Sequence, residues 1–287
     1  MGDPVSQGSR LTAHGAGMTP FTGFLPVLTF RFPLDELLAP YVEAYAPGVL
    51  ISVTEFLAAP DAPRPGVPLL LDSGGANALD PAAQIVDEGW CGVLVTASGH
   101  RVHPLDVLDT ARTARAAGQC TLDFPCPDRL GTAEQERRWA LGERNAVYAL
   151  RQARTGLMYA SVQPGQPLDG VLSHHPDGVA LGGLVPHAHD RARLAHEVRQ
   201  VRAQIGSRPL HVFGVGHPDS IRAVMEAGAT SVDSSSPQRT AAAGRSWAGE
   251  RVDDPSPPER LRLAVSNLLS ALDAPLPLQA FPLWRAL

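Results

Sequence analysis

The sequence predicts an α/β fold, a TIM-type (β/α)8 barrel with irregular closure, and three observations carry that reading. Short apolar runs of strand length alternate with amphipathic stretches of helix length, which is the signature of parallel crossover units. Most of those runs end in a carboxylate, an amide or paired glycines, where the chemistry of such barrels collects. The chain has 287 residues and 44% hydrophobic content. Barrels of this kind use roughly 250 residues as one domain.

Residues 1–24 are rich in Gly, Ser, Thr and Pro and read as an irregular arm; residues 25–287 read as a single barrel domain with a C-terminal helix. Pro26 to Phe30 is a short strand, and Leu34 to Tyr45 a helix ended by Ala46-Pro47-Gly48. Val49 to Val53 is apolar and β-branched, and Ala58 to Pro68 is too rich in proline to be regular. The run LLLD ends in Asp72, with Ser73, Gly74 and Gly75 after it. Two glycines there let the backbone pass close to a ligand and expose amide donors, although plain turn glycines would look the same. Cys91 to Thr96 and Arg101 to His103 form a hairpin, followed by a helix from Pro104 to Ala117 and a strand from Gln119 to Leu122 ending at Asp123. Thr132 to Arg154 is a helix whose Arg137, Arg138, Arg144, Arg151 and Arg154 fit a solvated charged face better than a phosphate-facing patch. Leu157 to Val162 runs into Gln163, and Gly178 to Leu181 into Gly182, Gly183 and Leu184. His187 and His189 have the spacing of a metal pair without a second ligand cluster, so they are read as preceding the helix Asp190 to Ile205.

The stretch from Arg208 to Gly244 organises the rest. Leu210 to Phe213 is a strand, Gly214 and Gly216 make a turn, and a helix from Asp219 to Ala227 carries Ile221, Val224, Met225 and Gly228 at i, i+3, i+4, i+7. Thr230 to Asp233 is the next strand. A carboxylate at its end can serve as nucleophile, base or metal ligand, or simply cap the following turn. A polar, proline-rich stretch from Ala248 to Pro258 and a helix from Pro258 to Leu272 precede a proline-broken tail reaching Trp284. No eighth strand follows Gly244, which leaves Pro26 to Phe30 as the candidate.

Composition narrows the function. A net charge of −5 and a pI near 6.0 exclude a global basic field, so any nucleic-acid contact needs a local patch. Cys91, Cys120 and Cys126 fit a reduced, cytoplasmic protein and match no zinc-knuckle spacing. The start MGDPVSQGSR lacks a leader pattern and no apolar run has membrane length, so a soluble protein without membrane contacts is expected. In a closed barrel the strand ends meet at one mouth. Asp72, Asp123, Asp233 and Gln163, with backbone donors of Gly182, Gly183 and Gly214, would offer a hydrogen-bonding edge for a purine-like base and leave one carboxylate for chemistry.

The blocks LLLDSGG, CTLDFP, ASVQPG, GVALGGL, and HVFGVGHP leading to VDSSSPQRTAAAG, in that order, resemble the tRNA-guanine transglycosylases over roughly residues 48–245. That family exchanges a guanine in nucleic acid for a 7-deazaguanine, as in queuosine and archaeosine formation, on a TIM barrel. The resemblance implies that Asp233 attacks the ribose C1′ and holds a covalent glycosyl intermediate, with Asp72 managing protons on the bases. It also implies a base pocket of Ser73, Asp123, Gln163, Gly182, Gly183, Leu184, Phe213 and Gly214, and an Arg239 contact to the nucleic-acid backbone. If Asp72 is buried near Asp233, its pKa should be raised.

The chain departs from the family pattern in four places. No cysteine follows Cys126, so the family's zinc site is missing and neither metal nor other cofactor is expected. Ala76 stands in place of a stacking aromatic residue, Phe213 in place of a methionine, and Ala242 in place of a second arginine. The polymer is accordingly a noncanonical tRNA or DNA. The alternatives are a non-catalytic base-binding or accessory subunit and a deazapurine nucleoside hydrolase, with a homodimer compatible with any of them.

Overall fold

The computed structural model describes residues 19–152 and 155–273. Most of the expected N-terminal arm, Arg154 and the tail to Trp284 lie outside the described residues. Eight parallel strands form the main sheet. In chain order they are β1 (Gly23–Pro26), β2 (Val49–Ser52), β3 (Leu69–Asp72), β7 (Gly118–Cys120), β8 (Leu157–Val162), β9 (Gly178–Leu181), β10 (Leu210–Val212) and β11 (Ser231–Ser234). Between β3 and β7 a small antiparallel sheet is inserted, made of β4 (Gln84–Asp87), β5 (Gly92–Val95) and β6 (Arg101–Val102). The expected hairpin is β5 and β6; β4, mostly solvent-facing and without an apolar face, gave no strand signal.

The parallel strands follow one another around the sheet, with β1 beside β11 at one end and β2 at the other. The ends meet through a parallel bridge between Val27 and Leu50 and a Leu28 N–H donated to Leu50 O at 3.1 Å. This is the irregular (β/α)8 barrel expected, and the eighth strand does come from the N-terminal region. It lies earlier than Pro26–Phe30, because side chains claim that backbone. Asp35 accepts from Thr29 N and Glu55 accepts from Phe30 N, leaving Gly23–Pro26 to pair with β11.

Helices pack around the sheet: α1 (Pro33–Tyr45), α2 (Val53–Ala58), α3 (Pro104–Thr113), α4 (Thr132–Leu150), α5 (Asp169–Leu172), α6 (Arg191–Ile205), α7 (Pro218–Glu226), α8 (Ser236–Ala242) and α9 (Pro257–Ala271). Helix α4 ends at Leu150 and α5 was not read from the sequence, and three further differences have a visible local cause. The Ser52 hydroxyl accepts from Thr54 N, so β2 stops before Val53 and α2 begins there. Helix α3 stops at Thr113 because Arg115 turns to φ +54°, a left-handed conformation that ends a helix. The serine run after Asp233 opens α8, with Ser234 Oγ accepting from Ser236 N and Pro237 in the first turn.

Side chains along each strand alternate between the barrel interior and the helical layer. Phe21, Leu25, Leu50, Leu70, Cys120, Tyr159 and Ala180 fill the interior, whereas the larger apolar cluster lies between strands and helices. Two residues further along the same strands come Ser52, Asp72, Ser161 and Gly182, forming a polar layer toward the strand C-terminal ends.

Buried Asn145 on α4 ties this framework together. It accepts from Gly92 N at 2.8 Å and donates to Gly92 O and Leu122 O at 3.0 and 3.1 Å. Asn145→Ala strands a buried N–H and two carbonyls, so urea unfolding should show a loss of roughly 2–4 kcal/mol. An unchanged midpoint would mean that the inserted sheet is held by other contacts.

Candidate active site

The barrel brings the sequence-predicted acids together. In register, Ser52 of β2 lies beside Asp72 of β3, and Leu25 of β1 beside Asp233 of β11. Asp123 follows β7 after a two-residue extension in which Thr121 N bonds Tyr159 O. Burial pushes the Cys120 thiol well above its ordinary range, and the charges of Asp72, Asp233 and Asp123 all add to that shift. One side chain at the floor thus senses three carboxylates that are spread over more than half of the chain.

Burial pushes the Asp72 carboxyl up to about 6; the charge of Asp233 adds, while the Gly74 N–H, Ser52 and His211 oppose. The raised value expected for Asp72 is therefore present, with desolvation ahead of like-charge repulsion. Gly74 N donates to Asp72 Oδ2 at 3.0 Å, so this amide of the turn serves the carboxylate itself. Burial likewise pushes Asp123 up to about 7, opposed by a hydrogen bond from Gln163 Nε2 to its Oδ2 and reinforced by Asp72.

The glycines beside these groups also have close neighbours of their own. A Cβ on Gly75 would stand 2.4 Å from Asp123 O, and one on Gly182 would stand 2.7 Å from Gln163 Nε2. They allow two pocket side chains to pack close to neighbouring strand ends. Gly183 is equally close to Gln163 Oε1. Ser73 is buried, and its hydroxyl has no hydrogen-bond partner among the described residues. Leu184 is buried at the start of a short 3-10 turn over Val185–His187, and Gly214 contributes its N–H to Asp233 Oδ1 at 3.2 Å.

The sequence reading missed one residue in this cluster, His211. It is fully buried on β10, with Nε2 3.0 Å from Asp233 Oδ1 and Nδ1 2.9 Å from Ser231 Oγ. Phe213, two residues on, meets its ring edge-on at 4.9 Å between centroids. The period-two rule that puts Phe213 in the interior puts His211 there as well, but only once the strand is assigned to a barrel.

Other candidates lie elsewhere. Arg239 is exposed on α8, and its charge acts on Asp35. The α4 arginines are engaged as a charged face: Arg137 and Arg138 with Glu134, Arg144 with Asp87, and Arg151 with His174. His187 pairs with Asp128 at 3.3 Å and Asp190 caps α6, in line with a role before that helix. Among the described residues, Glu88, Cys91 and His103 form a grouping of metal-type ligands near the inserted sheet. His103 Nδ1 lies 3.9 Å from Cys91 Sγ and its Nε2 lies 3.6 Å from Glu88 Oε2. A cleft of about 600 Å³ beside Trp90 and α4 contains none of the barrel carboxylates.

With this geometry in view, the family described as "TGT: Queuine tRNA-ribosyltransferase" matches residues 60–267. The chain belongs to this family. The match spans β3 to α9, so Asp72, Asp123, Gln163, His211 and Asp233 all fall within it, while β1 and β2, which meet to complete the barrel, precede it. No curated protein sequence matches the chain. No helix among the described residues is long and apolar enough to cross a membrane. Membership makes the protein a glycosyltransferase of the transglycosylase type, acting generally on a guanine base and on tRNA or other nucleic acid.

The raised pKa of Asp123 has a consequence for stability. A carboxyl whose folded pKa exceeds its unfolded value stabilises fully below pH 4, and that contribution is lost as pH rises toward 7. Asp123→Asn removes the ionisation but keeps an oxygen for Gln163. The variant should be more stable than wild type at pH 8, with the difference shrinking as pH falls to 4, at up to about 1.4 kcal/mol per pH unit. Parallel stability profiles for the two proteins from pH 4 to 8 would show that Asp123 ionises without cost.

Proposed function

We propose that this protein exchanges guanine for a 7-deazaguanine base in nucleic acid through a covalent glycosyl intermediate on Asp233. The observation that supports this most is the difference among the three clustered acids. Asp72 and Asp123 are pushed toward the neutral form, whereas Asp233 meets a backbone N–H and a histidine. An acid that can give a proton, an acid that can read a base edge and a carboxylate free for attack are what a double displacement at a glycosidic carbon requires.

In this reading a carboxylate oxygen of Asp233 bonds to C1′ as the C1′–N9 bond of guanosine breaks. The electron pair leaves with guanine, which takes a proton from Asp72. The incoming deazaguanine gives a proton back to Asp72 and its nitrogen attacks C1′, breaking the ester and restoring the Asp233 carboxylate. Splitting the reaction this way replaces one high barrier with two lower ones. Protonated Asp123 and the Gln163 amide would bind the heterocycle edge, with Ser73, Gly182, Gly183 and Leu184 around it and Phe213 supplying an aromatic face. Arg239, exposed on the helix that follows Asp233, would meet the polymer backbone. The polymer is a noncanonical tRNA or DNA, since the family's usual zinc ligands have no counterpart after Cys126.

Trapping tests the reading. Wild-type protein incubated with tRNA or with DNA and a 7-deazaguanine should form an adduct that survives denaturation, and should release guanine. Asp233→Ala should form none and lose at least ~10³-fold in exchange; Asp72→Asn should lose ~10²–10⁴-fold while still binding base. Guanine binding without exchange on either polymer would instead favour a binding or accessory subunit. Release of free base from nucleosides alone would favour a hydrolase.

A further inference from the structure

We infer that His211 is the positioning residue for Asp233: it fixes which carboxylate oxygen faces the sugar and holds that carboxylate ready for attack. The inference rests on the base-exchange reading above and deepens it. It starts from placement. Six of the other barrel strands contribute Leu25, Leu50, Leu70, Cys120, Tyr159 and Ala180 to the interior cluster, and on the seventh, β11, Ser231 lies beside His211 in register. Strand β10 alone among these puts an imidazole there, fully buried, with both ring nitrogens directed at β11.

The two contacts divide the roles of the ring. An ionised Asp233 carboxylate can only accept, so Nε2 is the ring nitrogen that donates to Oδ1 at 3.0 Å, while Nδ1 meets the Ser231 hydroxyl at 2.9 Å. Gly214 N–H reaches the same oxygen at 3.2 Å. Both donors therefore act on Oδ1, and Oδ2 is the oxygen that meets C1′. Phe213 against the ring edge holds the imidazole plane.

The contribution of His211 in this scheme is a hydrogen bond held throughout the two steps. When Oδ2 bonds to the sugar, Oδ1 becomes the ester carbonyl oxygen and keeps its two donors. When the incoming base breaks the C1′–Oδ2 bond, the electron pair returns to a carboxylate that is already hydrogen-bonded. Donors set in advance around a group whose charge changes need no reorganisation during the reaction.

The experiment compares wild type, His211→Phe, His211→Gln and Ser231→Ala. Three readouts are used: guanine affinity by calorimetry, adduct formation with labelled tRNA or DNA, and thermal unfolding. The Phe variant should slow adduct formation about 10²-fold while guanine affinity changes less than about threefold, because base reading belongs to Asp123 and Gln163. The Gln variant, which restores an N–H donor of similar reach, should recover about tenfold of that loss, and Ser231→Ala should cost about tenfold. If the Phe variant unfolds, the nearly isosteric Gln and Ser231→Ala proteins carry the comparison. Equal losses in affinity and adduct formation, or adduct formation unchanged in all three variants, would overturn the positioning role alone. Wild type that forms no adduct on either polymer would overturn the base-exchange reading and this inference with it.

Discussion

Bringing three carboxyl groups into one dry barrel mouth is the constraint that the rest of this structure answers. Each acid removed from water pays a desolvation penalty, and each ionised neighbour raises it. Two different solutions are used. Asp72 and Asp123 take the neutral route, with carboxyls pushed up to about 6 and about 7, chiefly by burial. Asp233 takes the hydrogen-bonded route through His211 and Gly214. The three acids therefore meet different surroundings within one site.

The framework supports that arrangement by tying irregular backbone to buried side chains. Asn145 holds the inserted antiparallel sheet to α4 and to the segment carrying Asp123. Asn267 on α9 does the same for the segment after Asp233, accepting from Trp247 N and donating to Pro237 O and Arg245 O. Asp35 and Glu55 occupy the backbone donors after β1, so the closing strand is short and its register is decided by side chains. Loops that would otherwise bury unpaired amides thus become rigid supports for strand ends.

The legible and illegible parts separate by mechanism. Asp72, Asp123, Gln163 and Asp233 could be singled out because each ends an apolar run, and their meeting needs only that the barrel close. Helix α8 was hidden in a run of serines that favour turns; at its start the Ser234 hydroxyl accepts from Ser236 N. Strand β4 was hidden because its pairing partner, not its own pattern, makes it a strand. Gly75 was noticed for its missing side chain and Gly182 for its backbone donor, whereas the close approach of Asp123 to Gly75 and of Gln163 to Gly182 depends on the fold. His211 lay inside the run LHVF, where one polar residue among apolar ones looks like an ordinary core position.

By itself the sequence determined the alternation of strands and helices, the acids at the strand ends and the family those blocks resemble, because local periodicity and chain order are written in consecutive residues. Tertiary structure alone decided that β1 closes the barrel as Gly23–Pro26, that Cys120 lies among three carboxyls, and that His211 and Ser231 meet at Asp233. These depend on register between strands far apart in the chain. A shift of one residue would turn every side chain to the opposite face, and no local pattern records that choice.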